Sequence, residues 1–147
     1  MPAKARALVL AVVALASLLA GCSAFDLTRE ARPDLLAGQS WRAIEVNGQP
    51  TIVGSEPTAV FAMTAFTGTT GCNQYSAEYQ YDPITGDLSI SQTAMTAAGC
   101  ARGAGATETA FLDALGKVSS ASMDPAGRLV LSGAGGEIVF ETMAVQG

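Results

Sequence analysis

The sequence predicts a mainly β domain: an antiparallel sheet of about seven strands, curled into a small open barrel, with one helix packed on it. Three observations carry this. Short runs of β-forming residues alternate with turn signals such as Asn47-Gly48, Asp82-Pro83 and Thr85-Gly86. Only Thr107 to Val118 changes period, with Phe111, Leu112, Leu115 and Val118 recurring at helical spacing. Strands are expected on both sides of that helix, an order that favours antiparallel pairing over β-α-β units. The same pattern also permits a flat sheet with the helix on one face.

The chain opens with Lys4 and Arg6 ahead of an apolar run of fourteen residues, Ala7 to Ala20. Roughly twenty residues are needed to cross a bilayer, so the run fits the core of a secretory signal peptide. It closes on Leu19-Ala20-Gly21-Cys22, the bacterial lipobox pattern. Residues 1–21 are therefore expected to be removed, and Cys22 to become a diacylated N-terminus. The alternatives are an ordinary cleaved signal or an uncleaved anchor. Residues 22–37 mix charges with Pro33 and read as a tether, with one helical turn near Asp34 to Leu36. Leu35 and Leu36 are its candidates for packing onto the domain, which spans 38–147.

Trp41 to Val46 is the opening strand, ended by Asn47-Gly48. Thr58 to Phe66 reads as one strand, with Val60, Ala62, Thr64 and Phe66 on one face and Phe61, Met63 and Ala65 on the other. After a turn or bulge at Gly68 to Gly71, Cys72 to Tyr81 forms a strand with Tyr75, Tyr79 and Tyr81 on one side. That alignment reads as packing. Asp87 to Ser91 follows, with Leu88 and Ile90 as core candidates, and the low-bulk residues 93–106 end the strand run. Thr107 is expected to cap the helix, Glu108 to favour its positive end and Lys117 its last turn. Three short strands complete the chain at 120–123, 128–131 and 137–142, joined through Asp124 to Gly127 and Gly133 to Gly136.

Charge narrows the partners. Eight basic residues face thirteen acidic ones, a net charge of −5. Loss of Lys4 and Arg6 with the signal takes the mature chain to about −7. Such a domain has no electrostatic footprint for nucleic acid and is repelled by anionic headgroups. Membrane contact is then expected through acyl chains on Cys22.

With Cys22 assigned to lipid, Cys72 and Cys100 remain as an even pair in an oxidising compartment. They either bridge or stay as buried free thiols. Two cysteines without histidine do not make a tetrahedral zinc site, and no cofactor is expected. The absence of histidine also removes Ser-His-Asp and Cys-His catalysis. Glu78, Asp82 and Asp87 could in principle pair as acid and base, but charges around a hairpin read as solvent-facing. The domain is expected to lack enzymatic activity.

Gly71-Cys72-Asn73-Gln74-Tyr75, followed by Thr93-Ala94-Met95-Thr96 leading into Gly99-Cys100, resembles the META domain, the family that includes the bacterial heat-shock lipoprotein HslJ. Trp41 with Asn47-Gly48, the helix at Glu108, Phe111 and Leu115, and the late strand at Leu129 and Leu131 extend the likeness over about residues 38–142. The chain departs from the pattern by two extra small residues, Ala97 and Ala98. The resemblance implies a compact β-rich fold with one helix and an envelope role in stress tolerance and antibiotic resistance. It also favours a Cys72–Cys100 bridge. Gly71 and Asn73 read as holders of a turn, with Asn73 and Tyr75 lining a binding cleft as the alternative.

The functional expectation is a non-enzymatic accessory or binding module of the cell envelope, held at the membrane through Cys22 and engaging an envelope protein. In a Gram-negative cell, Ser23 after the acylated cysteine favours the periplasmic face of the outer membrane. A carrier of a small amphipathic ligand and a protease-inhibitor-like module are the alternatives.

Overall fold

The computed structural model describes residues 33–101 and 103–144. The signal segment, Cys22 and most of the tether lie outside the described residues. Nine strands and one helix are defined there: β1 Ser40–Val46, β2 Gln49–Pro50, β3 Thr58–Phe61, β4 Ala65–Thr69, β5 Gln74–Tyr81, β6 Leu88–Met95, α1 Ala104–Gly116, β7 Val118–Met123, β8 Leu129–Gly133 and β9 Gly136–Thr142. They form a single antiparallel sheet in the order β6-β5-β4-β3-β1-β9-β8-β7, with β2 appended to β1. The two ends of that path meet at an isolated Asp87–Ser120 bridge, backed by a hydrogen bond from the Ala121 amide to the Gly86 carbonyl at 2.8 Å. The sheet is thus nearly closed into a barrel. Among the described residues no helix is long and apolar enough to cross a membrane.

Nine strands replace the expected seven for two reasons. Asn47 (φ 51°) and Gly48 (φ 75°) take the left-handed pair of a tight hairpin turn, which folds Gln49–Pro50 back on Glu45 and Val46. The run from Thr58 to Phe66 is a hairpin, not one strand. The Ala62 amide bonds the Ala65 carbonyl, and Phe61 pairs with Phe66. The two rings expected on opposite faces therefore stack at 4.7 Å between centroids. Burial of both phenylalanines selects the reversal, leaving Met63 at the turn 82% exposed.

β5 keeps its expected alternation. Tyr75, Ala77 and Tyr79 point inward and Tyr81 is half-buried on the same side. Tyr75 and Tyr79 meet Phe66 edge-on at 5.6 and 6.1 Å, and Phe111 of α1 joins Tyr75 to Phe140 of β9. With Leu36, Leu115, Leu129, Leu131 and Ile138 these rings fill the barrel interior. Leu36 is fully buried, and Asp34 Oδ1 accepts the Leu36 and Ala37 amides to hold the turn that delivers it.

The helix starts three residues earlier than its periodicity suggests. Ala104 is buried and begins α1, with Gly103 as N-cap at φ 87° and no side-chain cap. Thr107 therefore lies inside the helix, and Glu108 sits in its second turn. Lys117 is the C-cap and pairs with Asp113 at 2.5 Å, while Val118 belongs to β7. β6 also runs on to Met95. Antiparallel register places the β4–β5 loop, the β6–α1 segment and the helix at one mouth of the barrel. The 62–64, 82–87 and 124–127 turns lie at the other.

Candidate functional site

The corner where the β4–β5 loop meets the β6–α1 segment brings together most of the site residues expected from the sequence. Gly71 turns the chain at φ 93°, and a side chain there would place its Cβ 2.1 Å from the Ser55 carbonyl oxygen. Only glycine satisfies both conditions. Cys72 and Cys100 form a disulfide with Cα atoms 5.0 Å apart.

Asn73 is 4% exposed and uses every polar atom it has. Its Oδ1 accepts from the Ala98 amide at 2.5 Å and the Thr96 hydroxyl at 3.1 Å. Its Nδ2 donates to the Ala98 carbonyl at 3.2 Å and to Glu108 Oε1 at 2.8 Å. One side chain thereby pairs with both backbone groups of Ala98, as a neighbouring strand would, and draws the Ala97-Ala98 insertion into register.

Tyr75 is buried, and its hydroxyl donates to the Thr58 carbonyl at 2.7 Å. Burial pushes its phenol well above the ordinary range. It also lies beneath an open groove of about 610 Å³ over the outer face of β4, β5 and β6, lined by Thr58, Gly68, Gln74, Ser76 and Met95 among others. Tyr75 is thus both a core ring and part of a groove floor, whereas Asn73 is fully committed to structure. Asp82 and Asp87 hold the β5–β6 turn: Asp82 Oδ1 accepts the Ile84 amide and Asp87 Oδ2 the Thr85 hydroxyl.

This corner also holds Thr70, which no motif marks, and gives Glu108 a role other than the one expected of it. Thr70 is fully buried; its hydroxyl oxygen accepts the Asn73 amide at 2.9 Å and its proton goes to Glu108 Oε1 at 2.5 Å. Glu108 was expected at the helix entrance, serving the macrodipole. Instead Oε1 receives Thr70 and Asn73 while Oε2 lies 2.9 Å from Cys100 Sγ. The available signal was position: Glu108 shares a helix face with Phe111 and Leu115, so its carboxylate turns toward the barrel. Thr70, two residues before Cys72, carried the weaker signal of a hydroxyl able to cap a turn.

A META domain family model matches residues 34–145, the whole described domain. The chain belongs to the META domain family. Its fold is shared by solved structures of low identity. An NMR structure of a protein from Burkholderia xenovorans is 22% identical at TM-score 0.57, covering 76% of this chain and 86% of that one. A second NMR structure is 21% identical at TM-score 0.59, covering 72% and 90%. The crystal structure of a DUF4847 family protein from Bacteroides vulgatus is 16% identical at TM-score 0.54, covering 72% and 93%. No curated protein matches the chain. In this META domain the Gly71-to-Tyr75 motif is therefore chiefly a fastener, joining the β4–β5 loop, the second cysteine segment and the helix.

Proposed function

We propose that the chain is a lipid-anchored accessory module of the cell envelope that acts by binding another envelope component, in stress tolerance and antibiotic resistance. The observation that carries this is the contrast between interior and surface. Among the described residues the interior is occupied by stacked rings and leucines, a filling that argues against a carried ligand there. The outer face of β4, β5 and β6 offers an open groove whose walls bear hydroxyls, an amide and Met95 but no charge. In a chain with thirteen acidic residues, an uncharged face suits a partner that need not be cationic. The lipobox ending at Cys22 supports the anchor. Palmitate labelling and a pulldown from native membranes test both parts, with Cys22→Ala as control. A chain that takes up no label has no anchor. A labelled chain that recovers nothing beyond the control has no partner.

One observation favours a second reading, a protease-inhibitor-like module. Thr96 to Ala101, apart from the Asn73 bonds and the disulfide that pin it, is exposed to solvent. A rigid exposed segment can resist cleavage while occupying a protease cleft. Absence of inhibition across a panel of envelope proteases removes this reading.

A further inference from the structure

Asn73 and Thr70 account for one oxygen of Glu108, and the other is left facing sulfur. Cys72 Sγ, Cys100 Sγ and a Glu108 carboxylate oxygen all lie within 4.8 Å of one another. They arrive from three separate segments: the β4–β5 loop, the β6–α1 segment and the second turn of α1. In the bridged state this arrangement does little for Glu108, because a disulfide sulfur has no proton to give Oε2. Reduction changes the chemistry of all three groups together. Two thiols then stand beside a carboxylate already oriented by Thr70 and Asn73 through its other oxygen. Such outer hydrogen bonds are the usual means of aiming a metal ligand. The Cys72 amide donates to Thr70 Oγ1 at 3.3 Å, so the same hydroxyl also fixes the first cysteine.

We propose that reduction of the Cys72–Cys100 bridge turns this corner into a site for a thiophilic divalent cation of the zinc class, with Cys72, Cys100 and Glu108 as ligands. A dithiol reductant gives two electrons and two protons to the bridge and becomes a disulfide itself. Each cysteine then releases its proton to solvent as the metal binds. Two thiolates and a carboxylate present three negative charges; among the described residues no basic side chain pairs with Glu108, and a divalent cation largely offsets the charge. Sulfur donors select zinc-like ions over magnesium or calcium. A water completes four-coordination, since Cys100 lies on the exposed segment. Two cysteines without histidine fall short of a tetrahedral site in the sequence; the fold adds a third donor from the helix.

The test uses the full-length chain in detergent, carrying Cys22→Ala so that only the bridge cysteines can respond. Reduced with a phosphine under anaerobic conditions, it is expected to bind one Co²⁺ with a thiolate-to-cobalt absorption band in the near ultraviolet. Zn²⁺ is expected to displace the cobalt and to raise the melting temperature of the reduced chain. The oxidised chain shows neither effect. Cys72→Ser and Cys100→Ser abolish the band, and Glu108→Gln weakens cobalt binding by about tenfold or more while the band persists. Trp41 emission reports folding in every arm. The proposal is overturned if reduced chain and Cys72→Ser bind cobalt alike, or if Glu108→Gln binds as tightly as its parent. A reduced chain that stays unfolded with excess zinc overturns it equally.

Discussion

Replacing both bridge cysteines by alanine, in a Cys22→Ala background, is the perturbation whose size follows most directly from the structure. The bridge joins residues 28 apart. The chain-entropy relation for a loop of that length gives about 3–4 kcal/mol of stabilisation through the unfolded state. The folded corner keeps its other fastenings, because Asn73 still holds Ala98 and Glu108, and β5 still pairs with β6 from Tyr75–Met95 to Tyr81–Leu88. The loss therefore falls on the unfolded chain, which gains freedom, and less on native contacts. Urea unfolding followed by Trp41 emission gives the readout, since that residue is the sole tryptophan and is 3% exposed. The midpoint falls and the m-value rises, because an unbridged chain exposes more surface on unfolding. At roughly 4 °C per kcal/mol for a domain of this size, melting drops by about 15 °C. A loss under about 1 kcal/mol with an unchanged m-value would refute the reasoning, because the bridge would then not be constraining the unfolded chain.

Asn73→Ala removes four hydrogen bonds at a buried position and is expected to cost about 2–4 kcal/mol by the same denaturation assay. Gly71→Ala meets a positive φ and a backbone oxygen 2.1 Å from the new Cβ, so it should cost about 2 kcal/mol or more; a neutral result would mean the loop relocates freely. Phe66→Ala takes away a ring in contact with Phe61, Tyr75 and Tyr79, at about 3–5 kcal/mol, enough to bring a domain of ordinary stability near its unfolding threshold. Burial raises the Tyr75 phenol above its unfolded value, so the folded chain keeps a proton that the unfolded chain gives up. Its contribution is complete below about pH 10 and is lost as pH rises beyond that. Tyr75→Phe should flatten this alkaline fall in urea midpoint, and equal slopes in the two proteins would remove Tyr75 as its cause.

Where local chemistry alone decides the backbone, the chain was readable. Asn47-Gly48 needs two left-handed residues and supplies them, and Tyr75, Tyr79 and the half-buried Tyr81 share one side of β5 as their spacing predicts. Asp124 to Gly127 forms its hairpin as expected, with Asp124 Oδ1 accepting the Ala126 and Arg128 amides. Where tertiary packing decides, the sequence was silent. Ala62-Met63-Thr64 has no turn chemistry, and the reversal there exists because Phe61 and Phe66 are worth more stacked inside than apart. Ala104 to Ala106 lack the bulk that reveals a helical period, so the first turn of α1 is visible only through what Ala104 buries. The site divides in the same way. The motif residues Gly71, Cys72 and Asn73 stood out by type, whereas the roles of Thr70 and Glu108 depend on partners 38 residues apart in the chain.

The meeting of the sheet's two ends at Asp87 and Ser120 makes the sheet a split ring rather than a continuous hoop. Among the described residues, the stretch of β6 from Ile90 to Met95 has β5 as its strand neighbour and none on the far side. Thermal breathing in such an object starts at the clasp, and deuterium should enter the amides flanking the split well before those of β1 and β9. The disulfide corner borders the same free margin, so whatever loosens the split would also slacken the loop that carries Cys100.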